Sequence, residues 1–354
     1  MPTVTALTHS PTPTRARHVR GTVLARVTLA WSLTIGVASL LWATDLLSFP
    51  FGDYGTSLLD RVSPGAALAT LATAAVAGVV LSLAHLRVRR PSRALAATTV
   101  LLAVVLVFAI PDWRVLAAVG YTPIAIVAVV IGAQPISLFA NIWSVPTLVL
   151  ASGMLAGLGF AILATRSWPP ARRKQLTTKR LHAIGVTATS IAALIPVGYA
   201  VTRICWALGI AFGISGDFLE KIHGITVIGL GLALFAILGA ALTLGLVQRW
   251  GTVFPRWVPG LRGTPVPVNL AVVPALVVAV LVASAGVNFI RDMISGSIAM
   301  APAGASGQTA AWLPEMFWPL WGIALATAAL VYRERRRRGD SAPSVSDERA
   351  VIDA

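Results

Sequence analysis

Residues 224–247 read GITVIGLGLALFAILGAALTLGLV, a run with no charged residue. An α-helix of about 20 apolar residues crosses the roughly 30 Å hydrocarbon core of a bilayer, so this run is long enough to span one. The run does not stand alone. Comparable stretches lie at about 21–44, 65–86, 94–110, 147–165, 182–204, 268–288 and 315–332. Backbone groups in lipid must be bonded within the segment, which makes these runs helices. A β-barrel needs alternating residues in pieces of about ten, and that pattern is absent. The expected fold is therefore an all-α, polytopic transmembrane bundle of about eight full spans.

Composition agrees. The chain of 354 residues is 56% hydrophobic and 12% charged, with a mean hydropathy of +0.81. Soluble domains carry about 25% charged residues. The net charge of +15 does not point to nucleic acid, because the basic residues fall in short clusters between apolar runs. Loops placed by the positive-inside rule look like this. The expected partners are the bilayer itself and the anionic lipids of its inner leaflet. Arginine far outnumbers lysine, and alanine and valine abound, a bias that fits a GC-rich bacterial genome. Residues 1–20 are polar, and the long run 21–44 lacks a short core with a clear cleavage site. It reads as a retained first helix.

Charge also orients the spans. The N-terminus with Arg26, the loops 87–93, 166–181 and 248–263, and the tail from 333 hold 23 of the 28 Lys and Arg residues. Those segments belong on the cytoplasmic side of a bacterial plasma membrane, with both termini. One stretch resists this scheme. No charge occurs between Arg114 and Arg166, yet the chain must cross an odd number of times there. Pro123, Pro135 and Pro146 interrupt the run. The economical solution is one crossing by 147–165, with 115–146 dipping in from outside or packing against outer helix ends.

The spans also pair into two sets of four. Trp42 is followed by Phe51-Gly52, Gly55 and Leu58, and Trp206 by Phe212-Gly213, Gly216 and Leu219; both copies read Phe-Gly-x-x-Gly-x-x-Leu. The third run of each set ends at Asp112 with Arg114, or at Arg291 with Asp292. The fourth follows Trp143 and Pro146, or Trp318 and Pro319. This predicts a parallel internal repeat with a pseudo-two-fold axis along the membrane normal. The divisions are a basic tail 1–20, a first repeat 21–166, a basic linker 167–181, a second repeat 182–332 and a disordered tail 333–354.

The strings Trp206-Ala-Leu-Gly-Ile-Ala-Phe-Gly-Ile-Ser and Gln248-Arg-Trp-Gly-Thr-Val-Phe-Pro-Arg-Trp-Val-Pro resemble a family of uncharacterised multi-pass membrane proteins of high-GC Gram-positive bacteria. The likeness covers most of the chain outside its tails. It implies a location in the membrane and no activity.

Soluble-enzyme signatures are missing: there is no phosphate loop, dinucleotide fingerprint, zinc helix or nucleophile elbow. No cofactor or metal site is expected, since Cys205 is the single cysteine and the five histidines are scattered. The middle of each span holds no ionisable residue, which argues against a proton-coupled pump. Charges gather at outer helix ends instead. Arg203, beside Trp206, is a guanidinium that could bind a carboxylate or phosphate, or pair with Asp217 or Glu220. Trp42 and Asp53 occupy the corresponding place in the first repeat. The candidate ligand-binding set is Arg203, Trp206, Asp217, Trp42 and Asp53. The loop 248–267, rich in Pro, Trp and Arg, is a membrane-hugging connector or a docking surface for a membrane or cytoplasmic protein. Three functions fit: a protein that binds or moves a small or lipid-like ligand at an outward site between the repeats; a structural or regulatory membrane partner; and a lipid-modifying enzyme.

Overall fold

The computed structural model describes residues 13–52, 55–87, 92–132, 134–168, 176–295 and 307–339, with backbone alone for 13–20. All the regular structure described is helical apart from one isolated β-bridge. Six helices are long and apolar enough to cross a membrane. They are α1 (Pro13–Ala43, apolar from Gly21), α3 (Pro64–Arg87), α7 (Val145–Ser167), α8 (Thr178–Ala207), α10 (Thr226–Leu244, counted with the short helix before it) and α11 (Val268–Ile294). A bent pair supplies a seventh, or a re-entrant segment: α4 (Arg93–Val104), extended by a π-turn over Val105–Ala109, and α5 (Arg114–Val130). Short helices α2 (Leu58–Arg61), α6 (Leu138–Ile142), α9 (Gly216–Ile222) and α12 (Leu313–Met316) join them, and α13 (Trp318–Arg338) closes the described chain. The protein is thus a multi-pass helical membrane protein with six or seven spans of clear length and composition. The eighth expected run becomes α13, which starts at Trp318 and ends in four consecutive arginines.

The chain divides into two compact units: residues 1–110 with 148–172, and residues 111–147 with 173–354. The segment 111–147, assigned by sequence to the first half, packs within the second unit. There α5 lies against α11, and the Trp143 indole donates to Thr122 Oγ1 at 2.9 Å.

In the first unit α1 lies between α3 and α7. Thr28 Oγ1 and Ser82 Oγ share a hydrogen bond of 2.9 Å across α1 and α3, and Trp31 Nε1 donates to Ser152 Oγ of α7 at 3.2 Å. The far side of α7 meets α4. A Cβ added to Gly157 would sit 3.2 Å from the Ala103 carbonyl oxygen and 2.7 Å from the Val107 side chain. Small residues at such crossings let helices approach, because lipid offers no hydrophobic force to drive them together. His85 then ties α3 to both neighbours: Nε2 meets Thr99 Oγ1 of α4 and Nδ1 meets Ser167 Oγ of α7, each at 3.0 Å.

In the second unit α8 packs along α10 on one side and α13 on the other, and α13 packs along α11. Gly322 of α13 faces the Ala279 carbonyl oxygen and the Ala283 side chain of α11. Ala188, Ala192, Ala324, Leu325, Ala328 and Tyr332 form the buried seam. The packed neighbours run α3, α1, α7, α4 in the first unit and α10, α8, α13, α11 in the second.

Candidate functional site

The first candidate is built around Arg203, in the last turns of α8. Its guanidinium lies between two rings, 4.5 Å from the Tyr199 centroid and 4.4 Å from that of Trp206. These residues share a helix face because they stand one turn either side of Arg203. The guanidinium Nη2 donates to Glu315 Oε1 at 2.5 Å, and Nη1 donates to the Ala310 carbonyl at 3.2 Å and to Thr202 Oγ1 at 3.0 Å. Both charged side chains are largely hidden from solvent. Burial pushes the Glu315 carboxyl above its ordinary pKa, and the Arg203 charge opposes that shift. Glu315 Oε2 has no hydrogen-bond partner among the described residues.

Of the sequence candidates, the structure brings Arg203 and Trp206 together. The partner of Arg203 is Glu315 rather than Asp217 or Glu220. Ser215 caps α9 by accepting from Phe218 N, which turns Phe218 and Leu219 inward and leaves Asp217 exposed. Trp42 belongs to the other unit, where it packs edge-on to Phe49 at 5.9 Å. Asp53 lies outside the described residues. Sequence reasoning missed Tyr199 and Glu315. Their available signals were slight: Tyr199 precedes Arg203 by one helical turn, and Glu315 is the single acid between Asp292 and Glu334.

The second candidate is a groove of about 800 Å³ in the second unit. Its volume falls in the range of about 300–1,000 Å³ usual for small-molecule sites. Its walls come from the end of α10 (Gly239, Leu242), the first half of α11 (Leu270, Ala275, Val278) and the face of α13 that carries Trp321 and Leu325. The wall atoms are almost all carbon. Leu242 and Leu270 are exposed, so the groove opens sideways rather than enclosing a chamber. In α11, Pro274 interrupts the helical ladder at the groove wall, since proline has no N–H to give the Leu270 carbonyl.

The connector 245–267 covers one end of this groove with Trp250, Phe254, Pro255, Trp257 and Val258. It folds as a closed loop. Phe254 N donates to Thr264 O at 3.0 Å and Val266 N to Thr252 O at 2.9 Å, around a bridge between Val253 and Pro265. The C-terminal helix pins it. Tyr332 Oη donates to Gly251 O at 2.7 Å, and Arg336 donates to Thr252 O at 3.2 Å and to Val266 O at 3.0 Å. The first unit holds an apolar void of about 10 Å³ near Trp31 and Leu150, hardly one water in size. Comparison with protein families, curated proteins and solved structures found no match, so the resemblance noted above gains no family, and what stands is a multi-pass helical membrane protein.

Proposed function

We propose that this protein binds the apolar chain of a lipid-like molecule in the groove of its second unit, and that it does so without catalysis. The observation that carries this reading is the asymmetry between the units. In the first, His85 bridges α3, α4 and α7 at the end where a short connector joins α3 to α4. In the second, a long folded connector lies over a groove between α10, α11 and α13. The sequence pointed to an outward-facing site between the halves. The groove moves the proposed site to the connector end of one unit, and leaves Arg203 as an internal clamp.

Duplication is part of the reading, and three coincidences of register support it. The shift in numbering that carries Gly21 onto Gly185 also carries Trp42 onto Trp206. The shift that carries Gly157 onto Gly322 carries Arg166, which Gly21 faces, onto Val331, which Gly185 faces. The shift that carries Ala103 onto Ala279 carries Val107 onto Ala283. An eight-span topology follows, with α13 as the last span. The positive-inside rule then puts the connector 245–267 on the cytoplasmic side.

The test is displacement of a fluorescent acyl-chain probe from the purified full-length protein. Ala275→Trp, which narrows the groove at its α11 wall, is expected to weaken saturable probe binding. Unchanged saturable binding by that variant would refute the proposal.

A further inference from the structure

An acyl chain in the bilayer is already in an apolar medium, so an apolar groove adds packing but little hydrophobic driving force. Selection among lipids must therefore come from the headgroup. The groove's covering connector carries Arg249, Arg256 and Arg262, all exposed. Arg249 precedes the lining residue Trp250, and Arg256 stands between the lining residues Pro255 and Trp257. Arg262 lies on the stretch that returns to the Val253–Pro265 bridge. Among the described residues none of the three side chains has an ion-pair or hydrogen-bond partner, in contrast to Arg336, whose guanidinium is used to hold the connector. No acid occurs between Glu220 and Asp292 to neutralise them. Pro255, Pro259, Pro265 and Pro267, together with the bridge, stiffen the backbone that presents them. Trp257 is 81% exposed, which suits a residue seated at headgroup depth.

Resting on the proposed lipid-binding role, we infer that the groove selects an anionic phospholipid of the adjoining leaflet, its phosphate held by Arg249, Arg256 and Arg262 and its chain lying along α11. Guanidinium groups suit this task because they form paired hydrogen bonds to phosphate oxygens.

Native mass spectrometry of the full chain, titrated with phosphatidylglycerol or with phosphatidylcholine of the same acyl composition, tests the inference. The unaltered protein should bind phosphatidylglycerol more tightly. Changing Arg249, Arg256 and Arg262 to Gln should weaken that binding by about fivefold per arginine removed and weaken phosphatidylcholine binding less, because the choline cation already offsets its phosphate, with an unchanged thermal midpoint as the check on folding. Changing Arg333 and Arg337 to Gln, exposed but away from the groove lining, should have no such effect. The inference is overturned if the triple variant keeps its preference, or if the Arg333 and Arg337 changes reduce it equally. Ala275→Trp should lower binding of both lipids. If it lowers neither, the groove reading itself has failed, whatever the arginine variants do.

Discussion

Arg203 and Glu315 form a buried ion pair at the junction of α8 with the segment before α13. Removing one charge of such a pair leaves the other buried and uncompensated, a loss of about 3–5 kcal/mol, whereas replacing both with apolar groups is often neutral. Arg203→Met should therefore lower the thermal midpoint of the purified protein sharply. Arg203→Met combined with Glu315→Leu should recover most of the loss. If the double variant is as unstable as the single, the pair is not the source of the stability. Arg203 and Trp206 were readable from sequence because charge at a span end is conspicuous. Glu315 was not, because no local pattern links residues more than a hundred positions apart. Asp217 and Glu220 misled by proximity in sequence; the Ser215 cap faces Asp217 away from the protein interior.

Helix contacts depend on a few positions where one backbone meets another. Gly322 sits against the Ala279 carbonyl, while Gly198 on α8 has open space where a side chain would go. Gly322→Val should separate α11 from α13 and destabilise the protein, and Gly198→Val should be tolerated; thermal melts of both variants check this. The connector depends on Tyr332 and Arg336 in the same way. Arg336→Gln should raise hydrogen exchange at the amides of Thr252, Phe254 and Val266 while leaving α10 and α11 protected. Exchange unchanged at those three amides would contradict the pinning. At this scale the sequence was legible in part. Apolar length located the spans, and in the proposed duplication Trp42 pairs with Trp206. The same proposal would set Trp318 against Gly153 rather than Trp143, and Asp112 against Asn288 rather than Asp292. Trp, Pro and Asp recur at helix ends because the interface favours them, so matches there carry little information about register. Glycines at crossings are fixed by contact, which only the structure displays.

For the molecule as a whole, the positive-inside argument predicts that reporter fusions after residues 90, 170 and 340 all report the cytoplasm. A periplasmic signal at any of them would reverse the orientation and put the groove's connector in the other leaflet. The existence of many spans was plain from hydropathy. The groove was hidden, because its lining residues Gly239, Leu242, Ala275 and Val278 look like any lipid-facing helix until the spacing of α10 and α11 is known. The connector was visible as an unusual sequence, but Trp, Pro and Arg alone did not distinguish a cover over a cavity from a loop on the membrane surface. An acyl chain is proposed to occupy this groove. Photocrosslinking of the full-length protein in vesicles with a phospholipid carrying a photoreactive acyl chain, followed by mapping of the labelled peptides, tests it most directly. The expected result is labelling concentrated on 239–258 and 268–278 and reduced in Ala275→Trp. Labelling spread evenly over the lipid-facing surfaces of α1, α3 and α7, and indifferent to that substitution, would contradict it.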